Sequence, residues 1–291
     1  MDALFQALLN GLVRGLIYVA IAVGLTIIFG TLRLVNFAHG AFYAIGAYVG
    51  LVVAEKVGLI PAFLVAPVAV AIFAILLDRL VLRHFYGKEA TAQLLITFGI
   101  ALVVEETLRL IFGGTTQQYP LPPGLASAST TIGPITYPTY QLLFALGVIV
   151  MIVAVWLFLQ RTNYGLIVRA GTRDRIMVQL LGGNIGQAST VVFALGAALA
   201  GLVGAATSPI YDIDPQTGFD FLVPSFVVVV VGGLGSFWGA VLGGLLIGEL
   251  QAITTLLYAP AADVVIYICM ALILLLRPQG LLGESEVIRP A

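Results

Sequence analysis

An amide, an imidazole and a phenol stand close together in the run Asn36-Phe37-Ala38-His39-Gly40-Ala41-Phe42-Tyr43, at the head of an apolar stretch. On a helix, His39 and Tyr43 are four residues apart and share a face. Such groups suit the wall of a solute path, with Phe37, Phe42 and Tyr43 adding apolar surface. The competing reading is local: Asn36 caps a helix and His39 rests at a membrane interface. A second group is Gly232-Gly233-Leu234-Gly235-Ser236-Phe237. Glycines there either let helices approach closely or bare the backbone to a solute. No Lys-Ser or Lys-Thr follows, and the chain nowhere contains G-x-x-x-x-G-K-[ST], so this is not a nucleotide P-loop. Ionisable residues within apolar runs form a third group. Glu105 and Arg109 have the acid-first i,i+4 order of a helical ion pair, with Glu106 beside them. Glu249, after Gly248, is isolated and reads either as a proton relay or as a helix-to-helix hydrogen bond. His39 and His84 have no H-x-x-x-H or cysteine partner, so an intramembrane enzyme is not expected.

The solvent that these groups meet follows from composition. Of 291 residues, 60% are hydrophobic and 9% are charged, against roughly a quarter charged in a soluble domain. Lipid is the solvent that makes such a chain stable, and its length suits eight or nine spans of about 20 residues. Apolar runs occur at about Leu8–Leu34, Phe37–Ala54, Ile60–Leu77, Ala92–Phe112, Thr139–Leu159, Thr190–Ser208, Phe221–Val231, Ala240–Leu257 and Asp263–Leu276. No ten-residue alternation suggests a barrel, so these are helices. The expectation is an all-α polytopic membrane protein forming a single domain over residues 1–291. The first run has no basic region before it and no clear cleavage site, and is expected to be a retained span. Cys269 reads as a small hydrophobe, and the net charge of −1 gives no reason to expect nucleic acid.

Charge sorts the connections. Arg79, Arg83 and Lys88 follow the third run; Arg161, Arg169, Arg173 and Arg175 follow the fifth; Arg277 and Arg289 follow the last. Gly113–Pro138 has no charge, and Pro209–Asp220 is acidic through Asp212, Asp214 and Asp220. The positive-inside rule places the basic segments in the cytoplasm and the other two outside. With nine spans the N-terminus is then outside and the C-terminus inside. Two regions are too short or too glycine-rich for ordinary spans: Phe37–Ala54 and Phe221–Leu257. They also resemble each other, since Gly40-AFYAI-Gly46-Ala47-YV-Gly50 and Gly233-LGSFW-Gly239-Ala240-VL-Gly243 share one glycine pattern. An internal pseudo-repeat with interrupted helices flanking a mid-membrane site is therefore expected. His39→Ala and Gly233→Leu are both expected to abolish uptake and leave assembly intact. Within the basic segment 161–189, one short helix from Thr172 to Leu181 is expected, stopped by Gly182 and Gly183. Its apolar edge needs a surface, either lipid headgroups or a soluble partner.

Arg33-LVNFAHGAFYAIGAY, RAGTRDRIMVQLLGGNI, VVVVVGGLGSFWGAVLGGLLIG and LLLRPQGLLG occur in order along nearly the whole chain. Together they resemble the LivH-type permeases of ATP-binding-cassette importers for branched-chain amino acids. The resemblance implies a non-enzymatic subunit of the bacterial cytoplasmic (inner) membrane. It implies a LivM-like sister permease, two cytoplasmic ATPases that hold ATP and magnesium, and a periplasmic substrate-binding protein. No cofactor belongs to this chain. It gives segment 161–189 the role of a coupling helix, carried here by Arg169, Gly171, Arg173, Asp174, Leu181 and Gly182. The path residues remain those read from the chain itself: Asn36, Phe37, His39, Gly40, Phe42, Tyr43, Gly232, Gly233, Gly235, Ser236, Phe237 and Glu249. An ion-coupled secondary transporter using Glu249 or the Glu105/Arg109 region is the alternative.

Overall fold

The computed structural model describes residues 2–283 except Arg33, Pro134 and Asp174, with the side chains of 172–176 outside the description. Its helices are α1 (Asp2–Leu32), α2 (Ala38–Lys56), α3 (Leu59–Leu80), α4 (Ala90–Phe112), α5 (Pro123–Ala126), α6 (Thr139–Arg161), α7 (Asn163–Arg173), α8 (Arg175–Leu180), α9 (Ile185–Thr207), α10 (Thr217–Gly232), α11 (Phe237–Tyr258) and α12 (Ala262–Leu276). Strands β1 (Ser129–Ile132) and β2 (Ile135–Pro138) pair antiparallel, Ser129 opposite Pro138 and Ile132 opposite Ile135. All nine expected runs are helical. Six stretches are long and apolar enough to cross a bilayer, the last of which, Phe237–Leu276, contains both α11 and α12. The 23-residue α4 and the shorter α10 complete the set.

Burial separates core helices from lipid-facing ones. Helix α1 is apolar all round and is buried along most of its length, as expected of a helix enclosed by others. Helix α3 buries one stripe at every fourth residue, Ala62, Ala66, Val70, Ala74 and Asp78. Its Ile60, Leu64, Val68, Ile72 and Leu76 are exposed, which suits lipid contact because tails are as apolar as leucine. Glycines let the core helices touch. A Cβ on Gly248 would stand 2.3 Å from the Gly15 Cα, and one on Gly46 would stand 2.2 Å from the Gly201 carbonyl oxygen.

The ends sort as charge predicts. Asp78, near the end of α3, accepts from Thr190 near the start of α9 at 2.8 Å, and Gly30 lies beside Gly235, so these ends share one side, taken here as inner. At the opposite side Tyr119 donates to the Gly50 carbonyl at 3.2 Å, Tyr137 of β2 to Asn10 Oδ1 at 2.8 Å, and Tyr140 to the Ala206 carbonyl at 2.6 Å. The outer connection thus holds a hairpin. Asp78, expected in the inner connection, instead belongs to α3 and is buried, because Tyr86 and Thr190 both donate to its carboxylate.

Contacts between helices follow a paired pattern. Helix α1 packs on α11 as α9 packs on α3; α2 packs on α9 as α10 packs on α1; α2 meets α3 and α4 as α10 meets α11 and α12. Helix α2 therefore answers to α10. The glycine pattern in the sequence joins α2 to the start of α11, a different pairing from this one. Spacing alone does not distinguish glycines at different helix crossings, since each crossing asks for the same small residues.

Candidate translocation pathway and coupling segment

After α1 reaches the inner side, the chain turns back before α2 begins. His39, the second residue of α2, places Nε2 3.2 Å from the Ile21 carbonyl. Ile21 lies eleven residues before the end of α1, or about 16 Å along its axis. Helix α2 thus starts near the middle of the bundle and runs outward. Helix α10 mirrors it. From the outer end of α9, the segment 208–216 turns inward, tied by a two-way backbone bridge between Ile213 and Gln117. Helix α10 then starts beside α2: a Cβ on Gly40 would stand 2.4 Å from the Gly218 carbonyl oxygen, and one on Gly218 would stand 2.5 Å from that of Gly40. Two helix N-termini therefore abut at mid-depth and their helices run to opposite sides, the plan expected of interrupted transporter helices.

The polar groups at this junction hold the turn. Asn36 Oδ1 accepts from the Ala38 N–H at 3.1 Å, and Thr97 Oγ1 accepts from the Phe37 N–H at 3.2 Å. A carbonyl only accepts, so Nε2 donates to Ile21; in a neutral imidazole Nδ1 is then an acceptor. Among the described residues, Nδ1 of His39 and Nδ2 of Asn36 have no hydrogen-bond partner, though the two residues are 0% and 1% exposed. An unpaired buried polar atom costs roughly 1–3 kcal/mol. Room for the ring comes from Gly24, whose Cβ would stand 3.1 Å from His39 Cε1. Asn36 lies just before Phe37, the N-cap of α2, and its side chain closes a turn onto the first residue of the helix. His39 is not at an interface.

Phe37 stacks on Phe226 of α10 with centroids 6.0 Å apart and meets Phe98 edge-on at 6.2 Å. Phe42 turns into the core against Phe73 and Phe193. The Tyr43 hydroxyl lies 2.5 Å from Thr207 Oγ1.

The glycine run lies elsewhere. Gly232 ends α10, fourteen residues after Gly218, or about 21 Å along the axis. Gly233 has φ +106° and donates its N–H to the Val229 carbonyl at 3.0 Å, closing the helix. The chain after α12 returns here, where Leu281 and Leu282 donate to the Val231 and Gly232 carbonyls at 2.8 and 2.9 Å. These bonds satisfy carbonyls that a helix end leaves unpaired. Gly232 faces Gly239, and Ser236 Oγ caps α11 by accepting from the Gly239 N–H at 3.1 Å. Gly233→Leu, expected from the sequence to spare assembly, is on this geometry expected to reduce folded permease as well as uptake. Its Cβ would stand 2.4 Å from the Gly283 nitrogen, and its φ strains any side-chain-bearing residue by roughly 1–3 kcal/mol. Gly233→Ala is expected to shift the permease to aggregate in size-exclusion chromatography; an unchanged monodisperse peak at wild-type yield counts against this clasp.

Gly235 and Phe237 line an inner cleft of about 190 Å³ with Gly30, Trp156, Arg169 and Trp238. Glu249 lies on α11 against Gly11 of α1, and its Oε2 is buried without a hydrogen-bond partner among the described residues. Glu105 and Glu106 both pair with Arg109, at 3.0 and 3.4 Å, on the exposed side of α4. The structure thus gathers Asn36–Tyr43 at mid-depth and leaves Gly232–Phe237 and Glu249 apart from it. The sequence reading missed a second polar set on the outer half: Arg14 beside Tyr211, and Tyr18, Gln251 and Asp263 linked in a chain. Arg14 within the first apolar run was the signal available for it.

The inner segment between α6 and α9 holds two helices where one was expected. Helix α7 starts at Asn163 because Thr162 caps it, Oγ1 accepting from the Gly165 N–H at 3.0 Å. Arg169 hydrogen-bonds the Gln160 side chain and backbone, and Gly171 sits close to Ile185. Helix α8 stops at Leu180, followed by Gly182 at φ +81°, as the glycine pair predicted. Val168 is buried, whereas Leu180 and Leu181 are 77% and 80% exposed. Arg33, Asp174 and Arg289, and the side chains of Arg173, Arg175 and Ile176, lie outside the described residues.

Residues 7–275 match the family model described as the permease component of the branched-chain amino acid transport system. The chain is 30% identical to the high-affinity branched-chain amino acid transport system permease protein BraD of Pseudomonas aeruginosa, covering 97% of this chain and 96% of BraD. It is 27% identical to LivH of Salmonella typhimurium, with the same coverage. It is also 27% identical to a probable LivH of Methanocaldococcus jannaschii, covering 91% of this chain and 88% of that one. No solved structure matches it. With the family model spanning nearly all of a glycine-packed helical bundle, the chain belongs to the permease components of branched-chain amino acid transport systems.

Proposed function

We propose that this chain is the translocation subunit of an ATP-driven importer for branched-chain or related hydrophobic amino acids, working by alternating access. The substrate class rests on the names of its relatives BraD and LivH, and the chain's apolar helices and family make it a multi-pass inner-membrane protein. The motor is separate in this reading. Two ATPase subunits hold ATP and magnesium, a LivM-like sister completes the path, and a periplasmic binding protein delivers the substrate.

One observation carries the division of labour. Helices α7 and α8 lie at the inner side, anchored through Val168, yet leave Leu180 and Leu181 exposed. Two neighbouring leucines this bare at the end of a short helix suit a groove on a soluble partner. Pushing α7–α8 moves α6 and α9, to which α7 is packed. Helix α9 carries Phe193 and Thr207, which contact Phe42 and Tyr43 of α2. The junction of α2 and α10 would then part, and the spare Asn36 and His39 groups would meet water or solute.

Two outcomes test this. Leu180→Asp with Leu181→Asp is expected to remove the ATPases from the purified complex while the permease still elutes as folded protein; retention of both ATPases at wild-type stoichiometry rejects the surface. Uptake in proteoliposomes is expected to require ATPases, ATP and binding protein. Concentrative uptake by the chain alone, responding to membrane potential or pH, would establish the ion-coupled alternative.

A further inference from the structure

The outer ends of α1 and α11 diverge around a cleft of about 370 Å³, a size within the rough 300–1,000 Å³ range of small-molecule sites. Its walls are mixed. Ala7, Ala252 and Leu256 are apolar, while Asn10, Arg14 and Thr255 bring polar atoms. Arg14 lies eighteen residues from the inner end of α1, or about 27 Å along the axis, and so near the outer boundary of a hydrocarbon core about 30 Å thick. A cation at that depth requires an anion, water or a lipid headgroup.

The neighbours of Arg14 are otherwise engaged. Tyr18 donates to Gln251 Oε1 at 2.8 Å, and Gln251 Nε2 donates to Asp263 Oδ1 at 3.0 Å. Asp263 is near Arg14, yet no carboxylate comes within 4.0 Å of it among the described residues. Tyr211 lies close to the guanidinium. A guanidinium has five donors, so most remain for a ligand. Asn10 accepts from Tyr137 through Oδ1, which leaves its two N–H donors. Thr255 donates to the Gln251 carbonyl at 2.8 Å, which leaves its oxygen as an acceptor.

We propose that this cleft is an entry site for the zwitterionic head of a small apolar amino acid. The proposal rests on the function proposed above. Arg14 and Asn10 donate to the α-carboxylate, Thr255 Oγ1 accepts from the ammonium, and the side chain lies on Ala7, Ala252 and Leu256. Donors and acceptors match such a head, and a planar guanidinium suits a carboxylate. Arg14 lies seven residues outward of Ile21 on α1, the residue that His39 meets at the start of α2.

The test is saturation-transfer NMR on the complete transporter in nanodiscs, with leucine, leucinamide and isopentylamine as probes and no binding protein added. Leucine is expected to give methyl signals that Arg14→Gln reduces about tenfold, the loss expected of a charge-assisted hydrogen-bonded contact. Arg14→Lys should restore part of the signal. Leucinamide and isopentylamine, which lack the carboxylate, should give little. Leu256→Trp fills the cleft without touching Arg14 and should also abolish the leucine signal. Equal signals from leucine and isopentylamine, or an Arg14→Gln complex that elutes normally and binds leucine as before, would overturn the site. Leucine signals that vanish when anionic phosphatidylglycerol replaces zwitterionic lipid would assign Arg14 to lipid phosphate and overturn it too. A wild-type complex that takes up no branched-chain amino acid would instead reject the proposed function.

Discussion

Gly46→Leu is expected to remove folded permease from the membrane fraction. A Cβ at Gly46 would stand 2.2 Å from the Gly201 carbonyl oxygen and 2.3 Å from its Cα, and one at Gly204 would stand 2.1 Å from the Tyr43 carbonyl oxygen. All are backbone atoms, so no side chain can swing aside. Overpacking a core by a methylene or two costs roughly 1–3 kcal/mol; four carbons driven into facing backbone exceed that and separate α2 from α9. That contact seats Tyr43 on Thr207 and holds the start of α2 at mid-depth. Gly99→Leu is the matched control, because nothing lies within 4 Å of a Cβ on that α4 glycine. Thermal unfolding in detergent should show Gly99→Leu near wild type and no cooperative transition for Gly46→Leu. A normal transition and normal uptake for Gly46→Leu would mean that α2 and α9 do not meet as described.

Loss of uptake with assembly retained is the expected result for His39→Gln. The informative change is glutamine and not alanine. Alanine would leave a cavity beside Gly24, and emptying a core site of a large side chain costs roughly 2–5 kcal/mol, so a loss of uptake by His39→Ala would not separate a path role from a packing role. Glutamine keeps an N–H donor for the Ile21 carbonyl while changing what stands where Nδ1 now has no partner. If that acceptor serves the moving solute or its water, uptake should fall at least tenfold, or about 1.4 kcal/mol. ATP hydrolysis by the assembled complex should remain measurable. Wild-type uptake by His39→Gln would reduce the imidazole to a bolt between α1 and α2.

Much of the scaffold was legible because lipid makes strict demands. A backbone in hydrocarbon must pair with itself, so every long apolar run had to be a helix, and all nine are. Charge gave the sides, since Arg79 and Arg161 lie in the last turns of α3 and α6 and Arg83 follows α3. The Glu105–Arg109 pair was readable because both partners sit on one helix. Asp78 was not. At the edge of an apolar run it reads as loop, and only Tyr86 and Thr190, brought in from elsewhere in the chain, make its burial favourable. The extent of α7 was missed for a similar reason: Thr162 caps a helix whose apolar residue, Val168, counts only once the bundle is there to cover it.

The residues by themselves determined the solvent, the helices, their sidedness and the glycine crossings. Each of these follows from local composition meeting a uniform medium. Only the tertiary structure decided which glycines touch, that α2 answers to α10, and that Asn36 and His39 lie at mid-depth while Gly232–Phe237 closes the inner end. Those outcomes depend on two segments, 34–37 and 208–216, turning back into the bundle. No local preference specifies that turn. It is stable because helices far away in the chain bury it and meet most of its hydrogen-bonding groups.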